Sequence, residues 1–330
     1  MIRLITLDSH DPAFNLATEE YLFSQNDDAV LLWQNYNAVI IGRNQNTLAE
    51  INKEVIDKYG ISVVRRITGG GAVFHDRGNV NYSVITTESE SGSINFAKYL
   101  TPVINALLDL GIHAEFSGRN DILVNGFKIS GNAQHISDRR VLHHGTLLFS
   151  SDLDMMSKVL NVSKEKIRSK AVSSVRSRVA NIKDFLPESE AVTTEDFMSV
   201  LKRYYLENLG CVLSKLSEKE LSEAEALANS KYRTWQWNYG NSPKYTFSSS
   251  AYLSCGTVEI RLEIIDGKIS DVAVYGDFFS VKPKEEFVSA IRGVEHSESA
   301  LLSVFKKINV ADYFIGVKEN ELIRLFFLGE

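Results

Sequence analysis

Two arginines and, two residues on, three consecutive glycines form the densest patch of ligand-binding chemistry in the chain: Arg65-Arg66-Ile67-Thr68-Gly69-Gly70-Gly71. Glycines let backbone N–H groups approach a ligand closely, and amide nests with guanidinium forks suit phosphate or carboxylate. Two readings stay open from these residues alone, an anion-binding nest and a tight turn with solvated arginines. Neither standard phosphate loop is present. No Gly-x-x-x-x-Gly-Lys-[Ser/Thr] occurs, and Gly69 and Gly71 lack the third glycine of the dinucleotide fingerprint. Just downstream, His75 beside Asp76 is either an acid–base element or a structural hydrogen bond.

A second concentration is Asp121-Ile122-Leu123-Val124-Asn125-Gly126-Phe127-Lys128-Ile129-Ser130, a hairpin by its Asn-Gly turn. A two-residue loop pairs Val124 with Phe127, Leu123 with Lys128, Ile122 with Ile129 and Asp121 with Ser130. Alternation then puts Asp121, Leu123, Lys128 and Ser130 on one face and Ile122, Val124, Phe127 and Ile129 on an apolar core face. The first face is a functional surface built on Lys128, or a solvated ion pair. Turn chemistry and polar donors at both ends, Gly118-Arg119-Asn120 and Gly131-Asn132, favour function. In the next strand His143 and His144 are adjacent and point to opposite faces, so they cannot chelate one metal together. No Gly-x-Ser-x-Gly elbow exists. Between Lys158 and Lys183, eight basic residues, including Lys170 and Arg178, stand against one acid, Glu165. This reads as a solvated helix face or as a basic stretch for a confined anion, and the interleaved serines favour a mobile loop over a regular helix.

The elements that must position these groups alternate. Helical spacing is expected over Asn15–Phe23, Glu50–Lys58, Ile94–Leu110, Thr194–Leu209 and Glu218–Asn229, and Gly60 and Gly111 end two of them. Strands are expected at Val30–Trp33, Val39–Ile41, Ile61–Arg65, Val80–Ile85, Ile122–Val124, Phe127–Ile129 and Leu142–Phe149. Short alternating strands mixed with helices predict an α+β fold: a large mixed, mostly antiparallel sheet packed with helices. Tyr239-Gly240-Asn241-Ser242-Pro243 is a turn-rich break, which divides the chain into residues 1–241 and 247–330. Beyond it, the Thr257–Ile265 and Ile269–Tyr275 strands flank Asp266-Gly267, followed by short helices, a small C-terminal α+β domain.

The bulk numbers exclude several classes. At 330 residues, 44% hydrophobic and 24% charged, the chain is long enough for two globular units. A formal charge of −6 argues against a general nucleic-acid binder. No run nears the ~18 apolar residues of a membrane span, and no signal peptide is visible. Two cysteines, Cys211 and Cys255, make no disulfide framework, so the expected compartment is the cytoplasm.

Taken in order along the chain, Arg65 to Asp76, Gly118 to Asp121, Lys128 to Gly131 and His143 to Leu147 resemble lipoate–protein ligase, of the biotin/lipoate ligase superfamily. Lys170-Ala171-Val172-Ser173-Ser174-Val175-Arg176-Ser177-Arg178-Val179 is similar to that family's adenylate-binding loop, and Trp235 to Gly240 to its domain-closing sequence. The resemblance implies activation of lipoate by ATP to lipoyl-AMP with loss of pyrophosphate, then transfer of the lipoyl group to a lysine of an acceptor lipoyl domain. It implies Lys128 as the catalytic residue. Arg66, Gly71, Ala72, Val73, Phe74, Asn120, Lys128, Lys170 and Arg178 would hold ATP or the adenylate. Lipoate would meet Lys128, Arg66, Thr68, Gly70 and His144, and Asp121 would hold Mg²⁺ or orient Lys128. Implied partners are lipoyl domains of 2-oxoacid dehydrogenase E2 subunits or the glycine cleavage H protein, with no nucleic acid and no membrane. The alternatives are a cysteine-independent acyl-carrier lipoyl or octanoyl transferase, and a non-catalytic lipoate-binding adaptor.

Overall fold

Ala29–Trp33 (β2), buried along its whole length, shows how the sheet is covered on both sides. Val30 and Leu32 enter one hydrophobic core, while Leu31 and Trp33 enter another; with a side-chain period of 2, only a sheet packed on both faces permits this. The computed structural model describes residues 1–88, 95–117, 120–161, 179–187, 192–239, 247–265 and 267–327. Its strands are β1 (Arg3–Thr6), β2, β3 (Ala38–Ile41), β4 (Ser62–Arg65), β5 (Val73–His75), β6 (Asn79–Thr87), β7 (Ala114–Ser117), β8 (Asp121–Val124), β9 (Phe127–Ser137), β10 (Arg140–Leu148), β11 (Val212–Ser214), β12 (Phe247–Leu253), β13 (Gly256–Ile265) and β14 (Lys268–Gly276).

Eight strands make the large sheet, in the order β11-β1-β2-β6-β10-β9-β8-β7. Pairing is parallel at β11/β1 and β1/β2 and antiparallel from β2 onward, the mixed, mostly antiparallel α+β sheet the sequence predicts. On one face the Phe96–Leu108 and Thr194–Asn208 helices pack, burying Leu100, Val103, Leu107, Phe197 and Leu201. On the other lies the Pro12–Ser24 helix, whose Leu16, Ala17 and Leu22 meet Leu31, Trp33 and Leu142. Local chemistry sets its start: Asp11 accepts from the Ala13 N–H at 2.9 Å and Pro12 opens the first turn. The helix expected over Glu50–Lys58 is two, Thr47–Glu50 and Lys53–Tyr59; Gly60 in the left-handed conformation caps the second.

A small sheet, β4-β3-β5, faces the first helix side of the large one. Strand β3 pairs in parallel with β4 and antiparallel with β5. The loop between β4 and β5 carries the triglycine. C-terminal strands β12, β13 and β14 form a separate antiparallel sheet whose core, Val258, Ile260, Leu262, Phe287, Leu301, Phe305 and Phe314 among others, draws on residues from Phe247 onward. This domain touches the triglycine directly. A Cβ on Gly69 would lie 2.6 Å from the Phe278 carbonyl oxygen, and the Phe279 ring packs tilted against Phe96, 5.6 Å between centroids, within the main core. Gly276 N–H donates to the Asn44 carbonyl at 2.7 Å. No helix among the described residues is long and apolar enough to cross a membrane.

Candidate active site

The hairpin that carries Lys128 forms as expected for its first two pairs, Val124 with Phe127 and Leu123 with Lys128. The register then slips by one: Ile122 faces Ser130 and Asp121 faces Gly131. That bulge overturns the expected Ile122–Ile129 and Asp121–Ser130 pairs. An extra residue on one strand changes which face the following side chains take, so Ser130 is fully buried while Gly131 comes beneath Lys128. A Cβ at Gly131 would stand 3.1 Å from Lys128 Nζ, so the glycine makes room for the ammonium. Lys128 Nζ lies 2.7 Å from Asp121 Oδ1. Phe127, expected in the core, is 42% exposed at the hairpin tip.

Neither reading of the arginine pair survives intact, because both guanidiniums are buried and occupied by carbonyl oxygens. Arg65 donates to the carbonyls of Gly42, Arg43, Gln45 and Trp237 and to Thr47 Oγ1. Asn238 Oδ1 accepts from the Arg65 N–H at 2.9 Å. Arg65 therefore clamps the segment before the interdomain stretch onto β4. Arg66 braces the glycine loop itself, with Nη2 donating to the Gly69 and Gly71 carbonyls at 2.6 and 2.9 Å, Nη1 to Ile40 O at 3.2 Å and Nε to Thr68 Oγ1 at 2.9 Å. A guanidinium has five N–H donors, so by count one on Nη1 remains for a ligand. Burial lowers both guanidinium pKa values to about 10, which leaves both charged at neutral pH.

Behind Arg66 runs a chain of buried polar groups. Thr68 Oγ1 is 2.8 Å from His144 Nε2, and His144 Nδ1 is 2.8 and 3.0 Å from the two oxygens of Glu19. Carboxylate oxygens accept, so Nδ1 carries a proton. Thr68 Oγ1 accepts from Arg66 Nε and makes its second hydrogen bond with Nε2. Ser83 Oγ also donates to Glu19, at 2.6 Å, and accepts from Trp33 Nε1 at 2.9 Å. The sequence does not single out Glu19; an acid inside a helix reads as solvated, and its partner is 125 residues away. His143 points the other way, as alternation requires, with Nδ1 3.0 Å from Gln134 Nε2 and Nε2 3.1 Å from the Tyr82 hydroxyl. Tyr82 donates to Asn132 Oδ1 at 2.6 Å, and Asn132 Nδ2 donates to the Asn120 carbonyl at 3.0 Å.

Gly145 is the space that permits this second chain, since a Cβ there would lie 1.9 Å from Asn132 Oδ1 and 2.6 Å from the Tyr82 ring. Gly145→Ala is expected to lower stability by about 1–3 kcal/mol, as overpacking of a filled interior does. A reduced urea midpoint checks it, and an unchanged midpoint contradicts the packing account.

These elements enclose a cavity of about 130 Å³ between the two sheets. Of the residues named from sequence, Arg66, Gly70, Gly71, Ala72, Val73, Asn120, Lys128 and His144 line it. Thr68 stands one hydrogen bond behind. Phe74 turns its side chain away into the core with Val39, Ile41 and Ile61, which leaves only its backbone toward the site. Lys170 and Arg178 lie outside the described residues. Val179 bridges to Lys128, and the Ala180 N–H donates to the Lys128 carbonyl at 3.0 Å, so the chain leaving the basic stretch arrives beside Lys128. Sequence reasoning missed the lining residues Leu16, Trp33, Ile40, Asn81, Ala133 and Thr146, which read as core or strand positions. Cationic and amide-bearing groups thus line the cavity together with the apolar side chains of Leu16, Trp33, Ile40 and Val73. Among the described residues no three His, Cys, Asp or Glu side chains converge as a metal site. A larger groove of about 940 Å³ at the β1–β11 edge contains none of the motif residues.

Residues 11–206 match the lipoyl protein ligase A/B catalytic domain, and residues 242–326 match the bacterial lipoate protein ligase C-terminus. Lipoate-protein ligase LplJ of Bacillus subtilis is 42% identical over 324 residues, covering 96% of this chain and 97% of the relative. A crystal structure of a lipoate-protein ligase A bound with ATP is 30% identical and superposes with a TM-score of 0.62 over 72% of this chain and 98% of that one. A bipartite lipoate protein ligase from Thermoplasma acidophilum, described with its E2 lipoyl domain, is 33% identical with a TM-score of 0.65, covering 74% and 98%.

Proposed function

The chain belongs to the lipoate–protein ligase family and is a ligase enzyme, and from that premise we propose that it joins lipoate to protein in two ATP-driven steps. The lipoate carboxylate attacks the α-phosphorus of ATP, releasing pyrophosphate and leaving lipoyl-AMP. The side-chain amine of an acceptor lysine then attacks the acyl carbon, AMP departs, and an amide forms. The observation that carries this reading is one cavity lined both by Lys128 and the glycine loop and by the apolar Trp33, Leu16 and Ile40. An amphiphilic acid suits it: the chain lies against the apolar side chains and the carboxylate stops at the cation.

Each residue has work to do in that scheme. Carboxylate and phosphate repel, so the first step depends on positioned charge. Lys128 bridges the two groups, held by Asp121. Arg66 stiffens the loop whose amides at Gly71, Ala72, Val73 and Phe74 face the nucleotide, and Asn120, fixed by Asn132, closes that side. Thr68, Gly70 and His144 shape the acyl end. Mg²⁺ is usually bound through one or two carboxylates plus substrate phosphates. A single Asp121 fits an ion that arrives with ATP, and no step is assigned to it. The ATP-bound relative supports nucleotide use, and of the acceptors expected from sequence the Thermoplasma ligase, described with its E2 lipoyl domain, supports the lipoyl domain of an E2 subunit. A division into residues 1–241 and 247–330 follows the two core systems. Action in the cytoplasm goes with two cysteines that are both buried. Those thiols also disfavour a thioester route: Cys211 sits beside the Thr194–Asn208 helix core and Cys255 in the C-terminal core, and neither lines the cavity.

The test is ligation itself. With an isolated lipoyl domain, lipoate and ATP, the acceptor should gain one lipoyl amide by mass spectrometry, and omitting ATP should abolish the gain. Modification from an acyl carrier protein without ATP would instead establish the transferase. The basic stretch adds a prediction: Lys170→Ala or Arg178→Ala should release free lipoyl-adenylate into solution, through loss of water exclusion and charge pairing. Equal retention in these variants and the parent, measured by chromatography of the filtrate, would remove the stretch from the account.

A further inference from the structure

His75 does not touch the Asp76 carboxylate, which instead accepts from the Gly78 and Asp152 N–H groups. Its Nδ1 is 3.0 Å from Asn35 Nδ2 and 3.5 Å from Asn81 Nδ2. Both amides are fixed by their other ends. Asn15 Nδ2, which also donates to the Ser9 and Gln34 carbonyls, donates to Asn35 Oδ1 at 3.0 Å, and Asn79 Nδ2 donates to Asn81 Oδ1 at 2.9 Å. Asn35 and Asn81 therefore present N–H donors to His75, so Nδ1 accepts and the ring proton sits on Nε2. Among the described residues that Nε2 is buried without a hydrogen-bond partner, and His75, 3% exposed, lines the cavity that holds Lys128. Buried donors are rarely left unpaired, because the loss of water is then uncompensated. Burial and the nearby Arg66 charge push the imidazole pKa down to about 3. At neutral pH the ring is uncharged, and its N–H is a donor with no acid–base duty.

We propose that His75 is a substrate-binding residue whose Nε2–H donates to an anionic oxygen where the lipoate carboxylate meets the α-phosphate, with Asn35 and Asn81 fixing the tautomer. This inference rests on the ligase reading above. It separates two roles at one site: Lys128 supplies the charge, and His75 supplies a neutral, pre-aimed hydrogen bond. The oxygen belongs to the carboxylate or to the phosphate, and separate ligand additions distinguish the two.

The experiment uses the full chain labelled with ¹⁵N-histidine and long-range ¹H–¹⁵N correlation spectra at neutral pH. The free protein should show His75 as the Nε2–H tautomer. Lipoate alone should move the Nε2 resonance if the carboxylate is the acceptor, and ATP alone if the phosphate is. Binding of both ligands, followed by calorimetry, with His75 unmoved overturns this inference and leaves the ligase reading standing; failure to bind either overturns both. In parallel, His75→Phe should cut kcat/KM for lipoate-dependent pyrophosphate exchange roughly 10- to 100-fold, the worth of a hydrogen bond to a charged group. His75→Gln, which returns an amide N–H near the same point, should recover part of the loss. Wild-type exchange in a folded His75→Phe, or equal loss in both variants, contradicts the proposal. Should His75→Phe fail to fold, the spectra of the unaltered protein decide.

Discussion

Lys128→Ala should lower adenylate formation by about 10²- to 10³-fold, the usual consequence of removing one pre-aimed group from a reaction that develops or gathers charge. The expected loss lies at the upper end because Asp121 remains. With its ammonium partner at 2.7 Å gone, a carboxylate would face two further anions, the substrate carboxylate and the α-phosphate. Lys128→Arg should recover little. The space for the ammonium is a glycine, with the Gly131 Cβ position 3.1 Å from Nζ, and a planar guanidinium is broader and aims its donors differently. Both variants should fold, since the Lys128 side chain is 37% exposed and an exposed ion pair contributes about 0–1 kcal/mol. Single-turnover formation of lipoyl-AMP measures the effect. Wild-type rates in Lys128→Ala would remove the lysine from the first step.

The second large effect is a loss of stability in mild acid. His75 and His143 are buried and held neutral. Burial and the neighbouring Arg66 and His144 lower His75 to about 3, while burial and His144 hold His143 well below its ordinary value. In the unfolded chain both titrate near 6.5. Folded-state values lowered for a basic group mean that the unfolded chain binds more protons below pH 6.5. Stability is therefore full above that pH and falls as the pH drops from about 6.5 toward 3. One pH unit below 6.5 each histidine held neutral costs on the order of 1 kcal/mol of stability, and the two together a few kcal/mol. His135, lowered to about 4 by burial, acts in the same direction. The carboxylates with depressed values, such as Glu220 beside Arg3 at about 2, lose their contribution in a lower window, below about 4.5. Urea unfolding at pH 7.5 and 5.5 checks the prediction, and equal stabilities at the two values would contradict the buried neutral imidazoles. Breaking the interior chains that hold Asn120 and Arg66 would then be part of acid inactivation.

The parts of the fold that were legible from sequence are those built on local signals. Asn125-Gly126 set the hairpin turn with Asn125 at φ 50° and Gly126 at φ 82°, and helical spacing located the long helices within a few residues. Short strands were not legible: β5 is three residues inside what reads as a loop, β1 and β11 pair with each other across most of the catalytic part of the chain, Arg3 with Val212, and β7 and β12 are edge strands held by one neighbour each. The bulge beside Lys128 escaped for a similar reason. Ile129 suits the core face of either register, and only the three-dimensional partners of Ser130 and Gly131 choose between them. The arginine pair shows the same limit from the side of function. Type and spacing point to anion binding, yet Arg65 and most of Arg66 are occupied by carbonyls of residues 40–71 and 237–238. Their effect on a ligand runs through the shape of the loop they hold. Glu19 and Trp33 became visible as site residues only when the two sheets were brought face to face, and His75, singled out by sequence, gained its partners there.

The central claim is that the cavity between those sheets activates a carboxylate with ATP. Its most direct test is exchange of labelled pyrophosphate into ATP by the unaltered protein, with no acceptor protein present. The account predicts exchange that requires lipoate and rises to saturation with it. Exchange that is absent, or that proceeds equally without lipoate, would contradict it.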